Sequence, residues 1–137
     1  MQIKQSVSLG VKNIIVFAAL LLILLTLFHV NSVMAHAALV KSDPPRRSTL
    51  TIPPKQIQLW FNEKVEGAYA SIVVRDADKK IITENNPEAV ATDPKSIVLK
   101  LPDDIQSGRY TVHYRVMSVD GHVIESNYDF NVKIKIQ

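Results

Sequence analysis

The segment Tyr110-Thr111-Val112-His113-Tyr114-Arg115-Val116 carries apolar side chains at every second position. Such alternation places one set of side chains on a buried face and the other set on a solvent-facing surface, as in a half-buried β-strand. The period of 3.6 residues that an amphipathic helix requires is not sustained anywhere after residue 35. The segment therefore predicts a strand within an all-β domain.

Other short runs further along the chain are also rich in β-branched and aromatic residues. They are Ile57 to Phe61, Ala70 to Val74, Ile97 to Leu101 and Tyr128 to Ile136. Proline, glycine and Asp/Asn pairs separate the runs at short intervals. The part from Thr83 to Lys95 has the weakest pattern and is predicted to be a loop. About seven short strands at this spacing predict a β-sandwich or a Greek-key β-barrel.

The first 35 residues differ sharply in composition from the rest. They contain two lysines, no acidic residue, and a run of 17 residues from Ile14 to Val30 that only one Thr and one His interrupt. Val33-Met34-Ala35 then has the small-residue pattern of a cleavage site. We therefore predict a signal peptide at residues 1–35 and a mature β domain at residues 36–137, located in the periplasm or outside the cell.

A retained membrane anchor is the alternative interpretation of this leader. The apolar run is just short of the 18 or more residues that indicate a spanning helix, and it is long for the apolar region of a signal peptide. The pairing of Val33 with Ala35 favours cleavage. Contact with a membrane is expected only if the leader is not removed.

Charge and cysteine content exclude several classes of protein. After residue 35 the chain has 14 Lys and Arg against 13 Asp and Glu, without any block of like charge. Binding to nucleic acid needs a clustered basic face and is not expected. Cysteine is absent, so an exported domain of this size must be held by its own hydrophobic core.

Asp120-Gly121-His122 lies between two predicted strands and has two interpretations. Asp-Gly is a strong turn dipeptide, so a hairpin turn with an incidental histidine explains the pattern and is favoured on local grounds. Residues two apart in an extended segment also point to the same side. The carboxylate of Asp120 and the imidazole of His122 could therefore both bind one metal ion.

His36 would be the first residue of the mature chain. An N-terminal histidine offers its α-amine and its ring Nδ1 to the same ion, and a metal can displace the amine proton near neutral pH. Nitrogen and oxygen donors in a tetragonal array favour Cu(II). Met117 is the only methionine after the leader, so a Cu(I) site built from thioethers is not expected. Glu63, on pattern alone, is a solvated charge at a strand end.

Several segments resemble the CopC-type family of copper-resistance proteins. The chain after the leader begins with a histidine, a short apolar stretch and a turn containing proline, as in that family. The segment Leu-Trp-Phe-Asn-Glu-Lys-Val resembles the family pattern L-x-F-S-E-x-V. The most specific match ends in Asp-Gly-His. These segments, with a closing F-x-V match, are His36 to Pro44, Leu59 to Val65, Ser107 to His122 and Phe130 to Val132.

The resemblance implies a seven-stranded Greek-key β-barrel of the cupredoxin-like or immunoglobulin-like kind. It further implies a copper carrier or buffer that binds Cu(II) outside the cytoplasm, that is not an enzyme, and that has a membrane copper transporter as a candidate partner. The ligands implied are His36, through its amine and imidazole, together with Asp120 and His122. Glu63 matches a strand-end glutamate that is a ligand or a near neighbour of the copper in some members.

The chain departs from the family pattern at several positions. The proline that usually follows Asp-Gly-His is Val123, a later glycine is Ser126, and the tryptophan before Arg-Val is His113. The methionine-rich loop that some members use for Cu(I) is absent. The first two changes bear on the shape of the loop, and the missing methionines favour a member that binds only Cu(II).

Two other functions remain open at this point. A metal-free, immunoglobulin-like binding module would keep the fold and treat the histidines as incidental. A copper mono-oxygenase with an N-terminal histidine brace would use the same ligand chemistry. Such enzymes are usually larger and have a broad substrate-binding face, whereas residues 36–137 leave little beyond the β domain itself.

Overall fold

The structure is a computed structural model that describes residues 13–22, 37–83 and 85–135. The chain divides into two compact units, Met1–Met34 and Ala35–Gln137. In the first unit, residues 13–22 form an α-helix. No helix among the described residues combines the length and apolar character needed to cross a membrane.

The described residues of the second unit form two four-stranded sheets and one short 3₁₀ helix, Gly67–Tyr69. The first sheet has the strand order β1-β3-β6-β5, with β1 Leu39–Asp43, β3 Gln56–Phe61, β6 Asp93–Lys100 and β5 Glu88–Val90. The second has the order β2-β8-β7-β4, with β2 Thr49–Leu50, β8 Val123–Val132, β7 Gly108–Met117 and β4 Ser71–Arg75. All neighbouring strands are antiparallel except β2 and β8, which are parallel.

One hydrophobic core joins the two sheets, because alternate side chains of the long strands are buried. In β7 the buried positions are those that the sequence alternation predicts. Phe61 of the first sheet meets Tyr114 of the second edge to face, with ring centroids 5.9 Å apart. The fully buried side chains include Ile57, Leu59, Ile97, Leu99, Val74, Val112, Val116 and Phe130. Burial of this apolar surface is the main force that holds such a domain together.

The all-β class and the sandwich are confirmed. The two sheets are separate and do not close into a barrel among the described residues, so the barrel form of the expected architecture does not apply. The described residues contain eight strands where about seven were expected, because β2 is only two residues long and carries little pattern.

Two predicted boundaries are wrong. The last strand was expected from Tyr128 to Ile136, whereas β8 begins at Val123 and ends at Val132. It ends there because its neighbour β7 begins at Gly108, opposite Val132. The next residues bond elsewhere, as in the amide of Ile134, which donates to Ser107 Oγ at 2.9 Å.

The second error is the loop expected from Thr83 to Lys95. This part contains the short strand β5, and β6 already begins at Asp93. The strand β5 has two exposed residues and one half-buried residue, and its register with β6 shifts between Ala89 and Val90. An exposed and irregular edge strand of this kind leaves no alternation in the sequence.

Candidate metal centre

Residues 118–122 connect β7 to β8, which pair antiparallel as far as Met117 and Val123. The amide of Ser118 donates to the carbonyl of His122 at 2.9 Å, and the amide of Gly121 donates to the carbonyl of Ser118 at 2.9 Å. Gly121 has a φ of +86°, a conformation that glycine adopts without the steric cost of a side chain. The hairpin predicted from Asp-Gly is therefore present.

Ser118 organises this loop from within. Its side chain is buried, and its hydroxyl donates a short hydrogen bond to Asp120 Oδ1. The amide of His122 also donates to Asp120 Oδ1, at 3.3 Å. The hydroxyl bond from Ser118 is the main reason that the pKa of Asp120 lies below its ordinary value. Asp120 is therefore an ionised carboxylate at neutral pH.

The second oxygen of Asp120 lies beside the imidazole of His122. Oδ2 of Asp120 and Nδ1 of His122 are 3.0 Å apart, and Nδ1 is buried. Two donors that occupy neighbouring right-angle positions at about 2.0 Å from one metal ion are about 2.8 Å apart. The loop thus holds an oxygen and a nitrogen in direct contact, at a separation close to the one that a shared ion needs.

Glu63 lies just beyond the end of β3. Its side chain is half-buried, and its Oε1 is buried without a hydrogen-bond partner among the described residues. A buried carboxylate oxygen is unfavourable unless a hydrogen-bond donor or a cation compensates it. This oxygen is therefore suited to a cationic group that the described residues do not supply.

The residues that follow Glu63 run beside the hairpin. Val65 forms an isolated antiparallel bridge with Ser118, and the amide of Glu66 donates to the carbonyl of Met117 at 2.8 Å. These bonds hold the end of β3 against the start of the loop that carries Asp120 and His122.

The start of the described β domain lies at the same end of β3. The amide of Ala38 donates to Asn62 Oδ1 at 2.6 Å, and the amide of Asn62 donates to the carbonyl of Ala38 at 3.0 Å. Ala37 is only 2% exposed and belongs to the core. His36 and the expected cleavage site lie outside the described residues, so the proposed principal ligand is given no position.

Of the four residues singled out in the sequence, the structure brings Asp120 and His122 into direct contact and places Glu63 on the adjoining segment. The described residues contain no group of three or more His, Asp or Glu side chains arranged to hold a metal ion. A complete site therefore needs a further donor. Ala38, near the start of the described β domain, lies beside Asn62 at the end of β3. His113 is exposed on the outer face of β7, as its place in the alternation predicts.

Sequence reasoning missed Ser118 and Asn62. Ser118 stands two residues before Asp120 in a turn, and serine in a turn commonly bonds to a nearby side chain or backbone group, so its role had a local signal. The hydrogen bond that Asn62 Oδ1 accepts from the Ala38 amide joins residues 24 apart in the chain, and no local pattern indicates such a contact.

Comparison with known proteins gives this arrangement a family. Residues 39–133 match the CopC domain. The chain belongs to the CopC family. The CopC match contains Glu63, Asp120 and His122 and begins three residues after His36.

Among CopC relatives, the protein YobA of Escherichia coli K12 is 34% identical over 113 residues, which cover 82% of this chain and 91% of that protein. Copper resistance protein C of Escherichia coli is 33% identical over 108 residues, which cover 74% of this chain and 85% of that protein. The crystal structure of CopC from Methylosinus trichosporium OB3b superposes with a TM-score of 0.70 at 33% identity, covering 74% of this chain and 98% of that one. Membership of the CopC family assigns the chain a copper-related function with the copper ion as its ligand.

Proposed function

We propose that this protein binds Cu(II) outside the cytoplasm and serves copper homeostasis or resistance as a carrier or buffer. The proposed ligands are the α-amine and imidazole of His36, with Asp120 and His122, and Glu63 lies close to the ion. The observation that carries the proposal is the 3.0 Å separation of Asp120 Oδ2 and His122 Nδ1 in a loop held beside the end of β3.

The choice of Cu(II) follows from the donors available. Histidine nitrogen, an amine and carboxylate oxygen suit Cu(II), whereas Cu(I) prefers thiolate and thioether sulfur. The chain has no cysteine, and Met117 is its only methionine after residue 35. The unpartnered, buried Oε1 of Glu63 adds negative charge that a cation would compensate.

The role of His36 depends on export and on cleavage after Ala35, because only a free α-amine can act as a ligand. Both steps are part of the proposal and are supported by the basic, apolar and small-residue order of the leader. The intact mass of the exported protein tests them directly. A mass that corresponds to residues 36–137 is expected, and a mass that includes the leader would overturn the amine ligand.

Titration of the processed protein with Cu(II), against a competing chelator, tests the site. The matched control carries one additional residue ahead of His36, which blocks the amine chelate and leaves the rest of the chain unchanged. We expect tight binding by the processed protein and much weaker binding by the control. Absence of tight binding, or equal binding by both proteins, contradicts the proposal.

The same samples separate the rival functions. For a copper-binding protein, Cu(II) broadens the ring resonances of His122; unchanged resonances would favour a metal-free binding module. We propose a binding role without catalysis, because the two small sheets leave no broad substrate face beyond the sandwich. Copper-dependent oxidation of chitin or cellulose by the pure protein would reverse that assignment.

A membrane copper transporter is the partner that we propose for delivery. Val119 and Val123 flank the Asp120–His122 pair and are 61% and 45% exposed, so apolar surface is available beside the ion. Copper should leave the protein faster with membranes that contain a copper transporter than with lipid membranes alone. Equal rates would favour a buffer over a carrier.

A further inference from the structure

A pair of long-range hydrogen bonds joins Asn62, just beyond β3, to Ala38, just before β1. The side-chain oxygen of Asn62 accepts from the Ala38 amide at 2.6 Å, and the Asn62 amide donates to the Ala38 carbonyl at 3.0 Å. Both main-chain polar groups of Ala38 are thus bound by one residue. The two bonds engage the peptide groups on either side of the Ala38 Cα, and together they restrict the backbone orientation of Ala38 as well as its position.

Asn62 is itself held from the other side. Its main-chain carbonyl accepts from Lys95 Nζ at 3.0 Å, and Lys95 lies on β6, the neighbour of β3. The pairing of β1 with β3 begins at Leu39 and Phe61, and its register shifts between Leu39 and Lys41. The side chain of Asn62 therefore binds Ala38, the residue just before the first pair of the β1–β3 ladder.

His36, the proposed first residue of the mature chain, is only two residues away from Ala38. Two residues of fully extended chain span at most about 7 Å, which limits how far His36 can lie from Ala38. The residue between them, Ala37, is 2% exposed and packs in the core, so its position is restricted. Ala37 and Ala38, the two residues that follow His36 in the sequence, are therefore both held in place.

Asn62 also lies next to the segment that contacts the hairpin. Glu63 follows it directly, and Val65 bridges to Ser118, two residues before Asp120. The segment from Asn62 to Val65 thus contacts Ala38 at one end and the β7–β8 loop at the other.

We propose that Asn62 is a positioning residue that presents His36 to the Asp120–His122 pair. This inference rests on the proposed function, because it concerns the placement of a proposed ligand. Asn62 acts through Ala38 and is not itself a ligand. Its contribution is preorganisation. If the backbone next to His36 is already oriented, less conformational freedom is lost when the metal binds.

The test compares two substitutions of Asn62 in the processed protein. Asn62→Leu has similar volume but removes the acceptor for the Ala38 amide, whereas Asn62→Asp keeps an acceptor oxygen at the same place. The matched control is Gln58→Leu, a half-buried amide on β3 whose side chain accepts a hydrogen bond from Gln56. We expect Asn62→Leu to weaken Cu(II) binding about tenfold and Gln58→Leu to stay within about twofold of the unchanged protein. Asn62→Asp keeps the acceptor and adds a negative charge, so it should not weaken binding.

A double-mutant cycle separates positioning from a general loss of structure. If Asn62 acts through the chain start, adding one residue ahead of His36 should cost much less affinity in Asn62→Leu than in the unchanged protein, because the two changes remove the same interaction. Additive losses would overturn the inference. Hydrogen exchange of the Ala38 amide in the metal-free protein gives a second readout, and it should be faster in Asn62→Leu alone.

Failure of this inference is distinguishable from failure of the proposed function. If the unchanged protein binds Cu(II) tightly and the additional residue abolishes that binding, the function stands. Full affinity of Asn62→Leu would then overturn the role of Asn62. If the unchanged protein does not bind, the function itself fails, and only the exchange rate of Ala38 still reports on the contact.

Discussion

Val65 pairs with Ser118 through an isolated antiparallel bridge, and this bridge connects the two sheets at the end of the sandwich that holds the candidate ligands. Val65 is buried and belongs to the core, and Ser118 is 1% exposed. The hairpin that carries Asp120 and His122 is therefore attached to the core at its first residue, and the rest of the loop is exposed or half-buried.

Replacing Ser118 by alanine should disorder the carboxylate of Asp120 without unfolding the domain. The backbone bond from Ser118 to His122 remains, but the hydroxyl donor to Asp120 Oδ1 is lost. We expect Cu(II) affinity to fall about fivefold, the effect of about 1 kcal/mol for one hydrogen bond. Competition titration measures it. Ser126→Ala, at an exposed serine of β8, is the control and should bind as the unchanged protein does.

Gly121 should tolerate alanine poorly for a conformational reason alone. Its φ is +86°, yet a Cβ built there meets no atom within 4 Å, so no steric collision contributes. An alanine in a left-handed conformation costs about 1–2 kcal/mol, and urea unfolding of Gly121→Ala should show a loss of that size. Gly108→Ala is the matched control, because its nearest contact is at 4.0 Å and its φ is not in that region. Equal losses in both variants would contradict the explanation.

The sequence predicted the fold best where one face of a strand is buried and the other is exposed. β7 alternates buried and exposed residues along most of its length, and its period was visible in the sequence. β5 lies at an exposed edge and its register shifts, so its residues follow no period. The error at the end of β8 arose because residues 133–135 alternate in sequence but lie beyond Val132, the last residue that pairs with β7.

The candidate site was predictable only where its parts are adjacent in the chain. Asp120 and His122 share one turn, and their contact follows from the two-residue spacing. The place of Glu63 beside that turn depends on the bridge between Val65 and Ser118, which are 53 residues apart in the sequence. Contacts of that kind are set by how the sheets pack, and no local pattern reports them.

Asp129 should make the stability of the domain sensitive to acid. The hydroxyl of Thr111, at 2.7 Å, and then Arg109, at 2.5 Å, hold the pKa of Asp129 below its ordinary value. A carboxyl group with a lowered pKa in the folded state stabilises the fold above its unfolded pKa, which is about 3.9. That stabilisation is lost as the pH falls from about 5 through the lowered pKa.

Asp129→Asn should therefore unfold more easily than the unchanged protein at pH 7, by about 1 kcal/mol. The difference should shrink as the pH approaches 3, because the carboxyl group of the unchanged protein is then being protonated. Urea unfolding at several pH values measures both. Arg109→Gln should have a smaller effect, since 66% of the Arg109 side chain is exposed and exposed ion pairs contribute little. A difference that does not change with pH would contradict this origin.

Phe61 and Trp60 are neighbours on β3 that should respond very differently to truncation. Phe61 is 2% exposed and packs against Tyr114 across the two sheets, whereas Trp60 is half-buried and lies under Lys41 Nζ, 4.5 Å from the ring centroid. Truncating a buried phenylalanine costs about 3–5 kcal/mol, a large part of the 5–15 kcal/mol that stabilises an ordinary domain. Losing an exposed cation–π contact costs about 0.5–1 kcal/mol, in addition to the apolar contact area of the ring. Urea unfolding of Phe61→Ala and Trp60→Ala should show the larger loss for Phe61, and the reverse order would place the core on the wrong face of β3.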